Sequence, residues 1–176
     1  MKPENAVKLD RTIGRFVYKF HLFIYRLTRG IIGHRTSQGP ILLLTTIGRK
    51  SGQPRVHPLL YMPQFDKEQP VTKGLKSWFA PKPIPDRFYV VGSNGGRPGA
   101  PAWLLNLRES PQASLQVGKM KWKVNAEILE GERKEQVWPT LTAHYKGWAH
   151  YETLTDRPIY PVCLVPVPDS NLDYAK

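Results

Sequence analysis

Two glycine-rich stretches and one aromatic triplet hold the residues of this chain best suited to chemistry. In the first stretch, Gly48-Arg49-Lys50-Ser51-Gly52, two cations and a hydroxyl stand between glycines. Glycine lets successive backbone N–H groups turn toward one point, and Arg and Lys add charge-assisted bonds to a phosphate. The pattern fits either a phosphate cradle or an ordinary basic hairpin loop. The second stretch, Gly92-Ser93-Asn94-Gly95-Gly96-Arg97-Pro98-Gly99, is followed by Trp103 and Asn106, about one helical turn apart. An indole can cover a ring system and an amide can bond to ring carbonyls or nitrogens, although Trp103 suits a core position equally well. Tyr145, Trp148 and Tyr151 recur every third residue, so a helix would show them on one face. They fit a packing stripe or the aromatic wall of an apolar substrate pocket with a phenol at hand as proton donor.

Other chemistries find no support in the sequence. There is no G-x-x-x-x-G-K-[ST], and the stretch at 92–99 does not match G-x-G-x-x-G. No H-E-x-x-H occurs and the five histidines are scattered, so no metal site is expected. No G-x-S-x-G elbow is present. Hydrolases and metal enzymes are thereby disfavoured.

The elements that must position these residues are short. Hydrophobic spacing at Ile13, Phe16, Val17, Phe20, Phe23, Ile24 and Leu27 predicts a helix that Gly30 and Gly33 end. Strands are expected over Pro40–Thr46 and Arg55–Tyr61, with the basic glycine turn as their hairpin loop. Residues 62–87 hold five prolines and weak periodicity, and read as a long excursion between strands. A strand over Arg87–Val91 feeds the second loop, and a short helix follows over Ala102–Arg108. Strands over Ala113–Val117 and Trp122–Leu129 are joined at Gly118-Lys119. A helix over Glu132–Tyr145, kinked or broken at Pro139, and a helical piece over Trp148–Leu154 precede a last strand, Ile159–Val165. Hairpin-length turns argue for an α+β, mainly β fold: a small antiparallel barrel with covering helices. The expected layout is a basic helix over 1–33, a barrel domain over 34–170 and a tail over 171–176.

At 176 residues with 40% hydrophobic content the chain fits one domain. A single cysteine excludes a disulfide framework, and Cys163 in an apolar run reads as an inert core thiol. The net charge is +12, and from Met1 to Leu60 eleven Lys or Arg face only Glu4 and Asp10. Such a field attracts polyanions: a phosphorylated ligand, an anionic membrane surface or nucleic acid. The aromatics at 16–25 are spaced for burial and not for stacking on single strands, so nucleic acid is not expected. No secretory signal or membrane span stands out, which points to a cytoplasmic protein. The basic amphipathic segment at the N-terminus suits either the inner membrane face or packing on the barrel.

Taken together, the order Leu42-Leu43-Leu44-Thr45-Thr46-Ile47-Gly48-Arg49-Lys50-Ser51-Gly52-Gln53-Pro54-Arg55, then Pro58-Leu59, resembles the opening motif of the deazaflavin-dependent nitroreductase and quinone reductase family. Val91-Gly92-Ser93-Asn94-Gly95-Gly96, Pro101-Ala102-Trp103 and Asn106-Leu107 resemble its second motif. Pro111, Val117-Gly118, Glu132-Arg133, Trp138 and Thr155-Asp156-Arg157-Pro158 with Pro161-Val162 follow in the family's order. The resemblance implies a split β-barrel of the flavin-reductase type, with coenzyme F420 as hydride carrier. It further implies that Arg49, Lys50 and Ser51 hold the phosphate end. Trp103 and Asn106 would line the deazaflavin, together with His57, Pro58, Asn94 and Gly95. Ser93, Tyr145 and Tyr151 would be catalytic, while Trp148 and Leu60 would meet a quinone, enone or nitro-type acceptor. The alternatives are FMN in the same barrel, or a non-enzymatic basic module for membranes or nucleic acid. Asn94 stands where the family commonly has lysine, and Trp148 where it often has tyrosine.

Overall fold

The computed structural model describes residues 35–36, 38–67 and 84–172. The strand β4, Arg87–Val91, is the simplest guide to the architecture, because every residue from Phe88 to Val91 is buried. Side chains alternate across a strand, so this run must have a hydrophobic layer on each face. Phe88 and Val90 point into one cluster, with Leu42, Leu44, Leu115, Trp122, Val124, Val162 and Leu164. Tyr89 and Val91 point into another, with Met62, Leu129, Leu141, Trp148, Ile159 and Cys163.

The first cluster is the inside of a barrel. Its strands are β2 (Gly39–Ile47), β3 (Pro54–Gln64), β4, β5 (Gln112–Val117), β6 (Met120–Ile128) and β7 (Pro161–Leu172), preceded by a two-residue β1 (Arg35–Thr36) paired with β2. The barrel order is β2-β3-β4-β7-β6-β5, all antiparallel, and β5 pairs back to β2 to close it. Closure leaves no barrel strand with a free edge along its paired length. Helix α1 (Ala102–Glu109) adds Trp103, Leu104 and Leu107 to the interior cluster. The second cluster is an outer layer, where α2 (Gly131–His144) and α3 (Gly147–Glu152) cover β3, β4 and β7. This is the mainly β split barrel with covering helices expected from the sequence.

Several expected boundaries move. The strand expected to end at Tyr61 continues to Gln64, because Met62 is buried and Met62, Pro63 and Gln64 pair with Tyr89, Phe88 and Arg87. The excursion expected over 62–87 therefore begins three residues later, while β4 starts at Arg87 as expected. Its two ends are stapled, with Asp66 N–H donating to Asp86 Oδ2 at 2.8 Å and Arg87 bound to Asp66 at 2.5 Å; residues 68–83 lie outside the described residues. Helix α2 runs through Pro139 as one element. The carbonyl of Glu135 that loses its N–H partner lies on an exposed stretch, where water can satisfy it. The last strand runs to Leu172 and not Val165, since Asn171 and Leu172 still pair with Trp122 and Lys121; the rest of the tail expected over 171–176 lies outside the described residues. The helix expected over 1–33 lies outside the described residues.

Cys163 sits in the outer layer, as its apolar neighbours suggested. Burial pushes its thiol up, which keeps it protonated and unreactive.

Candidate functional site

A cavity of about 410 Å³ opens where β3, the loop after β4, α1 and α3 converge. Strand β3 supplies His57, Pro58 and Leu60 to its wall, and Gln38 reaches it from just before β2. The loop after β4 supplies Ser93, Asn94 and Gly95, and the start of α1 supplies Ala102 and Trp103. Tyr145, Trp148 and Tyr151 complete it. The fold thus gathers at one place ten of the site residues named from the sequence, from His57 to Tyr151. None of the lining residues is Lys, Arg, Asp or Glu. In a chain of net charge +12 this is a cavity without formal charge.

The aromatic wall holds together through edge and hydroxyl contacts. Tyr145 meets Trp148 edge-on, with ring centroids 5.5 Å apart and planes at 87°. The hydroxyls of Tyr145 and Tyr151 lie 3.3 Å apart. That hydrogen bond, and burial after it, push the Tyr145 phenol up to about 12. Gly147 makes room for the ring: a Cβ there would stand 2.3 Å from Tyr145 Cζ. Trp148 is 3% exposed and is as much core as wall. Glu152 ties α3 to α2, accepting from Lys134 Nζ at 2.8 Å and from Trp138 Nε1 at 2.9 Å.

On the opposite wall His57 lines the cavity, and its Nε2 is the buried side-chain polar atom without a hydrogen-bond partner among the described residues. Burial, and then the charge of Arg55, lower its pKa, so the imidazole is neutral at neutral pH. A buried polar nitrogen left unpaired costs stability, and a ligand group with a donor or acceptor at this wall would satisfy it.

The turn Gly48–Gly52 stands outside the cavity. Ser51 and Gly52 N–H both donate to Gly48 O, at 3.0 and 2.7 Å, and Gly52 takes a left-handed φ of 64°. Arg49, Lys50 and Ser51 are exposed. The hydroxyl of Ser51 accepts from Gln53 N and from Arg55 Nη2, both at 3.4 Å, which shapes the turn from within.

Asn106 has a different place from the one expected. It is 3% exposed and absent from the cavity wall. Its Nδ2 donates to Thr46 Oγ1 at 3.0 Å, and its Oδ1 accepts from Arg49 N at 3.2 Å and Arg49 Nη1 at 3.4 Å. With both ends of the amide engaged inside the protein, Asn106 braces the basic turn and is not part of the cavity wall. One helix therefore links the two regions: Ala102 and Trp103 of α1 line the cavity, and Asn106, about 6 Å further along the axis, holds the turn. Trp103 packs in the barrel interior, the core position weighed for it, and also lines the cavity.

The matched relatives fix what this arrangement belongs to. The family model described as F420H(2)-dependent quinone reductase matches residues 17–71 and 83–166. The chain is a member of that family. An F420H(2)-dependent quinone reductase of Mycobacterium tuberculosis is 30% identical over 160 residues, 89% of this chain and 94% of that protein. The solved structure of an F420-H2 dependent reductase, FDR-A, is 31% identical, with a TM-score of 0.52 over 71% of this chain and 93% of that one. A second solved structure, described as a domain-swapped dimer, is 28% identical, with a TM-score of 0.54 over 85% of this chain and 98% of that one.

This F420H(2)-dependent reductase is an oxidoreductase, and its cofactor is coenzyme F420; FMN is the secondary alternative. The residues present fit that group. An anionic end needs cations, and the Gly48–Gly52 turn exposes Arg49 and Lys50, while its N–H groups at Gly48, Arg49, Ser51 and Gly52 are engaged within the protein. A neutral ring system needs an uncharged pocket with a few polar atoms, which the cavity with the unpaired His57 Nε2 offers.

Two contributors escaped the sequence reading. Thr46, 1% exposed, anchors Asn106. Arg157 donates to the carbonyls of Gly92 and Ser93 at 3.1 and 2.6 Å. The run Thr155-Asp156-Arg157-Pro158 was the one signal for Arg157, since it follows the family's order without showing what the arginine touches.

Proposed function

We propose that this reductase transfers hydride to a neutral, flat, electrophilic acceptor of the quinone type, seated in the cavity between the loop after β4 and the aromatic wall. The observation that carries this reading is the contrast in charge: no ionic side chain lines the cavity, in a chain of net charge +12. An anionic acceptor would find no cation inside, and its desolvation would go unrepaid. The name carried by the tuberculosis relative, a quinone reductase, supports the same class. Enones and nitro compounds share the neutral electrophilic character and belong to the same proposal as weaker substrates.

Each residue has a part. Arg49, Lys50 and Ser51 hold the anionic end of the cofactor, with Asn106 keeping Arg49 in place. His57, Pro58, Asn94, Gly95 and Trp103 bound the ring, and Leu60 and Trp148 offer apolar surface to the acceptor. When bound in its reduced form, the deazaflavin supplies the hydride. Two hydroxyls that share one hydrogen bond leave one O–H free, so the Tyr145–Tyr151 pair can donate to the acceptor oxygen on which negative charge develops. With its phenol near 12, Tyr145 stays protonated at neutral pH and serves as hydrogen-bond donor more readily than as acid. The proton itself then comes from Ser93 or from water.

The test is a pair of acceptors of matched potential, a neutral quinone and its sulfonate. The neutral one should have a kcat/KM about tenfold or more higher, the equivalent of about 1.4 kcal/mol. Equal or better use of the sulfonate would sink the reading. The basic segment 1–33 fits an inner-membrane surface where lipid quinones reside, which would make this a peripheral cytoplasmic enzyme; binding of the full chain to anionic vesicles, lost on deletion of 1–33, is the outcome expected.

A further inference from the structure

The loop after β4 is held in an unusual backbone shape. Asn94, Gly95 and Gly96 take φ of 50°, 62° and 73° in succession. Three consecutive left-handed residues, one of them not glycine, persist only where the surroundings fix them. The local bonds are few: Gly96 N–H donates to Ser93 O at 3.0 Å, Arg97 N–H to Asn94 O at 3.2 Å, and Asn94 Nδ2 to Gly99 O at 3.2 Å. Gly95 N–H reaches Ser93 Oγ only at 3.5 Å.

What spans the loop is the guanidinium of Arg157. Its Nη1 donates to Gly92 O at 3.1 Å, its Nη2 to Ser93 O at 2.6 Å and its Nε to Arg97 O at 3.2 Å. Nη1 also donates to Pro158 O at 3.3 Å. The loop is thus gripped at its start and its end by one planar group. Arg157 forms no ion pair with a carboxylate among the described residues, whereas Arg87, Arg108 and Arg133 each do. Its donors go to backbone carbonyls instead, and burial shifts it downward without removing the charge. The residue follows α3 by a few positions, and Gly96 packs against Leu154 and Tyr151 of the same stretch. Loop and aromatic wall are therefore braced as one unit.

We infer that Arg157 is a positioning residue for the reduction: by forking between Gly92, Ser93 and Arg97 carbonyls it keeps the left-handed loop in the shape that brings Ser93, Asn94 and Gly95 to the cavity. The inference rests on the function proposed above, since those three residues matter only if the cavity is the reaction site. Arg157 is not among the residues that line the cavity, and it acts through the loop.

The experiment compares wild type, Arg157→Ala, Arg157→Lys and, as control, Arg108→Ala, whose ion pair with Glu130 is exposed. Hydrogen exchange of the unliganded chains is followed by mass spectrometry beside cofactor titration and steady-state kinetics. In Arg157→Ala, amides at 92–99 should exchange about tenfold or more faster while those of β2 keep their wild-type rate. The same variant should lose about tenfold in kcat/KM, with part of it restored in Arg157→Lys, which keeps the charge and loses the fork. Should Arg157→Ala fail to fold, Arg157→Lys carries the same local exchange test. Wild-type exchange at 92–99, a rise spread evenly over β2 as well, or a loosened loop with unchanged kcat/KM would each overturn the inference. Failure of the wild type to bind F420 would instead overturn the proposed function, and the exchange data would still decide what Arg157 holds.

Discussion

The turn at Gly48–Gly52 closes on itself, with Ser51 and Gly52 N–H groups on Gly48 O and Gly48 N–H on Gln53 O at 2.9 Å. A Cβ at Gly52 would meet nothing within 4 Å, and its two cations face solvent. From outside, that turn is held at Arg49, by Asn106 Oδ1. The loop at Ser93–Gly96 also has internal bonds, but it is gripped from outside at both ends, by Arg157 on its carbonyls, and packed by Leu154 against Gly96. Both stretches are rich in glycine, but for different reasons: the first needs a tight exposed bend, the second a close approach of packed neighbours. An anion-holding loop can stay outside and flexible in its side chains, because charge acts over several ångströms. A loop that shapes a neutral pocket must be placed by packing.

The largest effect should come from the glycine that packs. Gly96→Ala puts a Cβ 2.8 Å from Leu154 Cβ in a left-handed residue with φ of 73°. Strain and overpacking together should cost about 3 kcal/mol in urea unfolding. Gly52→Ala, left-handed but surrounded by open space, should cost only about 1 kcal/mol. Equal losses at the two positions would erase the distinction between the loops.

Next in size is the charge at the first turn. Arg49→Ala with Lys50→Ala should weaken cofactor binding about 10- to 100-fold at low salt, with little change in unfolding midpoint. Added salt should narrow the gap, because screening removes from the wild type what the variant lacks. A salt-independent loss would point to a collapsed turn.

The smallest effect belongs to the phenol pair. The Tyr145 pKa is raised from 10.0 to about 12 in the folded chain, chiefly by Tyr151. The unfolded state then gives up its proton first, so this contribution is intact below pH 10 and is lost as pH rises through about 12. Unfolding followed against pH should show that alkaline decline in the wild type and not in Tyr145→Phe. Tyr151→Phe should bring the Tyr145 phenolate absorbance transition back toward 10.0. Gly147→Ala should do likewise, since its Cβ would stand 2.3 Å from Tyr145 Cζ and displace the ring.

Much of the barrel could be read from the residues. Alternation in β5 and β6, the turn at Gly118 and the run Arg87–Val91 each match an observed element. What misled was local chemistry overridden by burial. Prolines at 63 and 166 look like strand ends, yet pairing carries past both, with Gln64 on Arg87 and with Asn171 and Leu172 on Trp122 and Lys121. Pro139 looks like a break, yet it falls on an exposed part of α2. At the site the outcome was similar. Residue types singled out most of the cavity wall, but Asn106 lies off that wall, bonded to Thr46 and Arg49.

By itself the sequence determined the two loops, the sign of the charge around the first and the antiparallel barrel class, because these depend on glycine, on ionisable side chains and on hairpin-length turns. Only the tertiary structure decided which residues share one uncharged cavity, and that Asn106 and Arg157 are braces. A side chain's role is set by which backbone groups long-range pairing brings within hydrogen-bond reach. For Arg157 those groups lie up to 65 positions away along the chain.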